Sequence, residues 1–132
     1  MQIAAPKILV VEDAYVTGQI LRHGLEHEGF DVCVALNGTE ALAALDAHRF
    51  DLVISDFQMP DINGDELCRR IRASERHGNV PIAFCTAKGY EFDTEAISSE
   101  LDISEVFFKP FSVRAVSAFA HRVIHGSCAM AS

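Results

Sequence analysis

The chain has no tryptophan, so no buried indole anchors its core. Positive charge is the scarcer sign: eleven Lys and Arg stand against nineteen Asp and Glu, a net charge of −8. Such a balance repels polyanions and speaks against direct nucleic-acid binding. The run Ala41 to Leu45 is unbroken and apolar, and it is far too short to cross a bilayer. Met1 to Pro6 lacks the charged start of an export signal, so a soluble, cytoplasmic protein is expected. Only four cysteines occur, Cys33, Cys68, Cys85 and Cys128, and no two form a CxxC pair. With 49% apolar residues, the chain does not need a disulfide scaffold. Cys33 and Cys85 sit in apolar runs and read as small core residues, while Cys128 reads as a free thiol in the tail. Gly and Pro, at eight and four, are too few for a collagen or a linker.

What is present is a regular alternation. Ile8 to Val11 is a short apolar run, followed by Val16, Ile20, Leu21 and Leu25 at helical spacing and by Gly29 as a helix stop. Phe30 to Leu36 reads as a strand, Asn37-Gly38 as a turn, and Ala41 to Leu45 as a helix. Leu52 to Ile54 is a third run, and a loop from Phe57 to Ile62 follows. Asn63 and Glu66 have the spacing of a capping box before a third helix. Val80 to Cys85 and Val106 to Phe108 are further runs, each with a helical pattern behind it. Ser112 is placed to cap the last helix and Gly126 to end it.

Five apolar strands, each followed by a helix, predict one α/β domain with a parallel sheet covered on both faces. Residues 1–126 form that domain and 127–132 a short flexible C-terminal tail. Sites in such sheets form beyond the carboxyl ends of the strands. The first run ends in Glu12-Asp13, the third in Asp56, the fourth in Thr86 and the fifth in Lys109. Three carboxylates on one rim repel one another and call for a cation. The donors are oxygens and no His or Cys stands at these ends, which suits Mg²⁺ better than Zn²⁺ or Ca²⁺. A hard dication beside a carboxylate, a hydroxyl and an ammonium is a phosphoryl-transfer arrangement.

The motifs KILVVED, DLVISDFQMP, a Thr after the fourth strand and FFKPF occur in that order. With them the chain resembles the receiver domain of bacterial two-component response regulators, from Lys7 to about Ile124. The resemblance implies a flavodoxin-like (βα)5 fold with strand order 2-1-3-4-5. It implies that Asp56 is the phosphoacceptor, fed by a histidine kinase or a phosphotransfer protein. Asp13, Asp56 and the backbone carbonyl of Gln58 would hold Mg²⁺, with Glu12 acting mostly through water. Thr86 would bond the phosphoryl group and move on its arrival, Lys109 would pair with it, and the bond before Pro110 would be cis. Gln58 and Lys88 would tune hydrolysis. An unidentified downstream protein would read the face made by the fourth helix, fifth strand and fifth helix. One position departs from the family pattern: Val106 stands where a switch aromatic is usual, with Phe107 and Phe108 beside it.

Other readings are weighed against this one. A Mg²⁺-dependent phosphatase working through an aspartyl phosphate would want an acid where Gln58 stands, and a flavin carrier would not place Glu12-Asp13 at a phosphate. A phosphorylation-independent scaffold would not need the intact acidic set. His23 and His27, like His121 and His125, are spaced i,i+4, but no third metal ligand is evident, so a solvated face is the simpler reading. Arg69, Arg70, Arg72 and Arg76 likewise read as a solvated basic patch on the third helix. The chain is then a stand-alone regulator or a receiver excised from a longer protein.

Overall fold

The computed structural model describes residues 5–87 and 91–131, with side chains described at 5–87 and 95–125. Lys88 and the Cys128 side chain fall outside these residues. Five strands alternate with five helices: β1 (Lys7–Val11), α1 (Tyr15–His27), β2 (Asp31–Ala35), α2 (Gly38–Ala47), β3 (Leu52–Asp56), α3 (Gly64–Ala73), β4 (Ile82–Ala87), α4 (Glu91–Leu101), β5 (Glu105–Lys109) and α5 (Val113–Ala131). All four strand pairings are parallel, and the spatial order is β2-β1-β3-β4-β5. The predicted α/β sheet is therefore present, with the predicted order.

Side chains alternate along each strand and so feed two apolar layers. Leu9, Val11, Val53 and Phe84 face α2, α3 and α4, where they meet Ala41, Leu45, Leu67, Ile71 and Leu101. Ile8, Val10, Ile54 and Cys85 face the other way, against Leu21 and Leu25 of α1 and Val116, Phe119 and Ala120 of α5. Each fully buried Leu, Ile or Phe contributes roughly 1.5–3 kcal/mol of transfer free energy. Because both faces are covered, β1 from Ile8 onward and all of β3 are buried.

Helix ends follow local chemistry in some places and depart from it in others. Gly29 takes φ +99° just beyond α1, the left-handed position that glycine fills without strain, and its N–H donates to Glu26 O at 3.0 Å. Asn37 proves to be the N-cap of α2, its side chain accepting from the Glu40 N–H at 2.8 Å, so Asn37-Gly38 opens a helix directly. The capping box at α3 is not made: Asn63 is the N-cap residue, but its side chain accepts no cap bond. Glu66 pairs instead with Arg70 at 2.9 Å. Ser112 does cap α5, accepting from the Ala115 N–H at 3.2 Å. Gly126 does not stop that helix. A glycine inside a helix costs only about 1 kcal/mol relative to alanine, and the helix formers Ala129 to Ala131 follow, so α5 continues to Ala131 instead of giving way to a loose tail.

Arg69, Arg70 and Arg76 are exposed, as expected of a solvated patch, whereas Arg72 is partly buried. Arg72 donates to four backbone carbonyls: Leu101 at 2.7 Å, Gly78 at 3.2 Å, Val80 at 2.6 Å and Asp102 at 3.0 Å. Asp102 has a left-handed φ of 56°, so Arg72 clamps the strained turn after α4. Arg69 pairs with Glu100. Arg76 lies beyond α3 and donates to Asp46 O at 3.1 Å. A guanidinium carries five donors in a fixed fork, and here those donors tie loops together.

Candidate functional site

The site lies where β1 and β3 are adjacent and their following helices depart to opposite faces. The Glu12 N–H extends the ladder by donating to Ala35 O at 3.0 Å. That fixes Glu12 at the strand end with only 2% of its surface exposed. Asp13 follows, one step out, and is exposed. Asp56 ends β3 and is 7% exposed. The Phe57 N–H donates to Cys85 O at 2.9 Å, so the backbone on the far side of Asp56 is also held in the sheet. Thr86 lies on β4, buried, and among the described residues its hydroxyl makes a long 3.5 Å contact to Ala87 O. Lys109 comes from β5, and the Lys109–Pro110 bond that follows is cis.

These residues do meet. Glu12, Asp13 and Asp56 each present a carboxylate oxygen, and those oxygens lie within 4.8 Å of one another. The Lys109 ammonium reaches Glu12 Oε1 at 3.2 Å and Asp56 Oδ2 at 3.4 Å. Glu12 Oε2 accepts from the Ala14 N–H at 3.2 Å, so both of its oxygens already have partners within the protein. A cavity of about 430 Å³ opens above, lined among others by Asp13, Asp56, Gln58, Thr86 and Lys109. Gln58 is exposed at its rim.

Burial and then the Glu12 charge push the Asp56 carboxyl up to about 7, against the downward pull of Lys109. Burial works to lower the Lys109 ammonium, but Asp56 and Glu12 outweigh it and raise it. Fully ionised, three carboxylates and one ammonium sum to −2. The donors are all hard oxygens, and among the described residues no His or Cys joins them. That donor set and that charge deficit fit Mg²⁺.

Two features had no signal in the sequence. Asp61, in the loop after β3, accepts from the N–H groups of Gly38, Thr39 and Ile62 and from the Thr39 hydroxyl at 2.7 Å. The Thr39 bond above all holds its carboxyl far below the usual carboxylate range. Asp61 thereby ties the rim of the cavity to the N-terminus of α2. Gly64 opens α3 so close to β3 that a Cβ there would lie 2.8 Å from Asp56 O and 2.9 Å from Phe57 Cα. At the departing position, Val106 is partly buried beside Phe84, while Phe108 is the register partner of Thr86.

The description "Response regulator receiver domain" matches residues 8–120. The chain belongs to the response regulator receiver domain family. Receiver domains are the phosphorylation-dependent switches of two-component systems, a signalling rather than a classical enzyme family. This receiver domain is 36% identical over 121 residues to the alkaline phosphatase synthesis transcriptional regulatory protein PhoP of Bacillus subtilis, covering 92% of this chain and 49% of that one. The chain spans about half the length of the curated relatives it matches. Among solved structures it superposes on the chemotaxis response regulator CheY4 of Vibrio cholerae with a TM-score of 0.83 at 28% identity, covering 90% of this chain and 98% of that one. It also superposes, with a TM-score of 0.81 at 26% identity, on the receiver domain of the Pseudomonas aeruginosa sensor histidine kinase PA1611, covering 92% and 98%. That structure holds a magnesium ion in its active-site cleft. No helix among the described residues of this receiver domain is long and apolar enough to cross a membrane.

Proposed function

We propose that Asp56 is the phosphoacceptor of this receiver domain. Its carboxylate oxygen attacks the phosphorus of a phosphohistidine on a histidine kinase or phosphotransfer protein. The O–P bond forms as the P–N bond breaks, and the departing imidazole nitrogen takes up a proton from solvent. Lys109 stands 3.4 Å from Asp56 Oδ2 and pairs its ammonium with an incoming phosphoryl oxygen. The Thr86 hydroxyl, 3.5 Å from Ala87 O, donates to another. Asp13 and Asp56, with the Gln58 carbonyl, would hold Mg²⁺, which when bound neutralises charge on the transferring group. Glu12, paired to Lys109 and the Ala14 amide, serves as an outer support for that ion. Water later cleaves the acyl phosphate and returns carboxylate and inorganic phosphate.

The observation that carries this reading is a nearly buried carboxylate, raised to about 7, in contact with a lysine ammonium beneath an open cavity. A phosphatase would need an acid–base group two residues beyond the nucleophile, where Gln58 stands. Gln58 and Lys88 would instead set the lifetime of the acyl phosphate. Thr86 is the element that moves on phosphorylation. With Val106 in place of an aromatic, that movement passes to the α4–β5–α5 face without a ring swinging inward, and a downstream protein reads that face. A cytoplasmic setting, where such donors act, goes with this reading. The test is incubation with Mg²⁺ and acetyl phosphate followed by intact-mass measurement. One phosphoryl group is gained by the parent chain and none by Asp56→Asn. A parent chain that gains none, or an Asp56→Asn chain that still does, refutes the assignment.

A further inference from the structure

The 58–63 segment forms one wall of the cavity over Asp56, through Gln58, Met59, Pro60 and Asn63. Its ends are held at the sheet: the Phe57 N–H donates to Cys85 O at 2.9 Å, and the Gly64 N–H donates to Phe57 O at 2.7 Å. Its middle is held elsewhere, on α2. Asp61 Oδ1 accepts from the Gly38 N–H at 3.1 Å and the Ile62 N–H at 2.7 Å, and Oδ2 accepts from the Thr39 N–H at 3.0 Å and the Thr39 hydroxyl at 2.7 Å. We infer that Asp61 is a positioning residue of the phosphoryl-transfer site: by fastening this segment to the start of α2, it sets where the Gln58 carbonyl meets Mg²⁺. The inference rests on the reading of Asp13, Asp56 and that carbonyl as the ligands of the ion.

Asn37 is the N-cap of α2, so Gly38 and Thr39 are its first two helical residues, and their N–H groups find no partner within the helix. The Asn37 side chain serves the next donor but one, the Glu40 N–H. Asp61 serves Gly38 and Thr39, where the helix dipole also favours a negative charge. Each of its oxygens faces two donors, so a carboxylate fits and an amide does not: the NH₂ of an asparagine would meet one pair donor to donor. Shape adds to this polar contact. Ile62 packs so closely on the start of α2 that a Cβ at Gly38 would lie 2.7 Å from Ile62 Cβ. A few residues earlier, Ala35 O accepts the Glu12 N–H at 3.0 Å. The stretch from Ala35 to Thr39 therefore grips both halves of the acidic rim, although it supplies no ligand itself. It holds the end of β1 through the Glu12 backbone and the Gln58 wall through Asp61. Mg²⁺ demands near-ideal octahedral geometry, so the spacing of those halves bears on its affinity. Met59, buried next to Gln58, holds the segment from the core side, so loss of Asp61 weakens binding of the ion without abolishing it.

The experiment is calorimetric titration of the full chain with MgCl₂, with circular dichroism to confirm that each variant is folded. The parent chain binds Mg²⁺, and Asp61→Asn binds it about tenfold more weakly, as expected when the support behind a metal ligand is lost. Thr39→Val keeps the Asp61 charge, removes only the hydroxyl, and weakens binding about threefold. Added to Asp61→Asn it changes little further, because the two variants break one shared contact. Arg72→Ala, which frees carbonyls at Val80 and Leu101, lowers Tm and leaves Mg²⁺ affinity unchanged. With Mn²⁺ as a paramagnetic stand-in at saturation, water-proton relaxivity rises in Asp61→Asn as water takes the place of the carbonyl. A parent chain that binds no Mg²⁺ overturns the reading of the rim and this inference with it. A parent that binds the ion while Asp61→Asn binds it equally well overturns this inference alone. So does parental affinity in Thr39→Val, which would leave only the charge of Asp61 at work. Weakening by Arg72→Ala to the level of Asp61→Asn, or an unchanged relaxivity, overturns it too.

Discussion

Replacing Asp56 by Asn should stabilise the metal-free protein above neutral pH. In the folded chain the Asp56 carboxyl is raised from 3.8 to about 7, chiefly by burial and then by Glu12. A raised acid favours the protonated form, so the unfolded chain releases its proton first as pH increases. Below pH 3.8 both states hold the proton and the group contributes nothing. Between 3.8 and about 7 folding loses stability steadily, and above that the loss is complete. A shift of about three pH units corresponds to at most about 4 kcal/mol. Asparagine is a neutral isostere and escapes that loss. On a domain of this size the difference is on the order of 10 °C in Tm. Urea unfolding in EDTA at pH 5 and pH 8 reads it directly. The midpoint advantage of Asp56→Asn should be small at pH 5 and large at pH 8. Added Mg²⁺ should narrow it, because the ion binds only the folded parent site. An equal advantage at both pH values, or a less stable variant at pH 8, would refute the electrostatic reasoning.

Other expectations rest on groups far from that rim. Arg72→Ala removes four donors from backbone carbonyls and should cost about 3 kcal/mol by urea denaturation. Arg72→Lys should recover little of it, because a single ammonium cannot span those carbonyls. His77 is buried and accepts the Phe50 N–H on Nε2 at 3.0 Å, which requires the neutral ring. Burial, then Arg76 and Arg49, lower it from 6.5, so the unfolded chain takes up this proton first as pH falls. Stability should therefore drop as pH descends through 6.5 and below, and His77→Gln should flatten that slope in a pH series of midpoints.

The strand ends were legible in the sequence because each apolar run stops at a charged or hydroxyl residue. In a parallel sheet every such end faces the same rim, so Asp13, Asp56, Thr86 and Lys109 could be brought together before any coordinates. The count of five helices followed from the same alternation, while the sheet order came from the family resemblance. What stayed hidden was contact between distant polar groups. Arg72 reaches carbonyls, which every residue carries, so no side-chain pattern announces its targets. Asp61 caps a helix that precedes it in the chain, the reverse of the spacing that reveals a local cap. Asn63 and Glu66 had the right spacing, and Arg70 captured the glutamate. Gly126 had the right identity for a helix end, but identity alone does not outweigh the helix formers beyond it.

Gly64 sets a rule for anyone rebuilding this domain. The helix it opens is pressed onto the backbone of Asp56 and Phe57 with no room for a methyl group. The Gly64 N–H also donates to Phe57 O at 2.7 Å, closing the intervening segment into a ring. Loop grafts from 58 to 63 must therefore return to the same anchoring point, keep Asp61 on α2 and keep Met59 in the core. A graft one residue longer must bulge toward solvent over the cavity mouth, where it would narrow the entrance for any phosphate-bearing visitor.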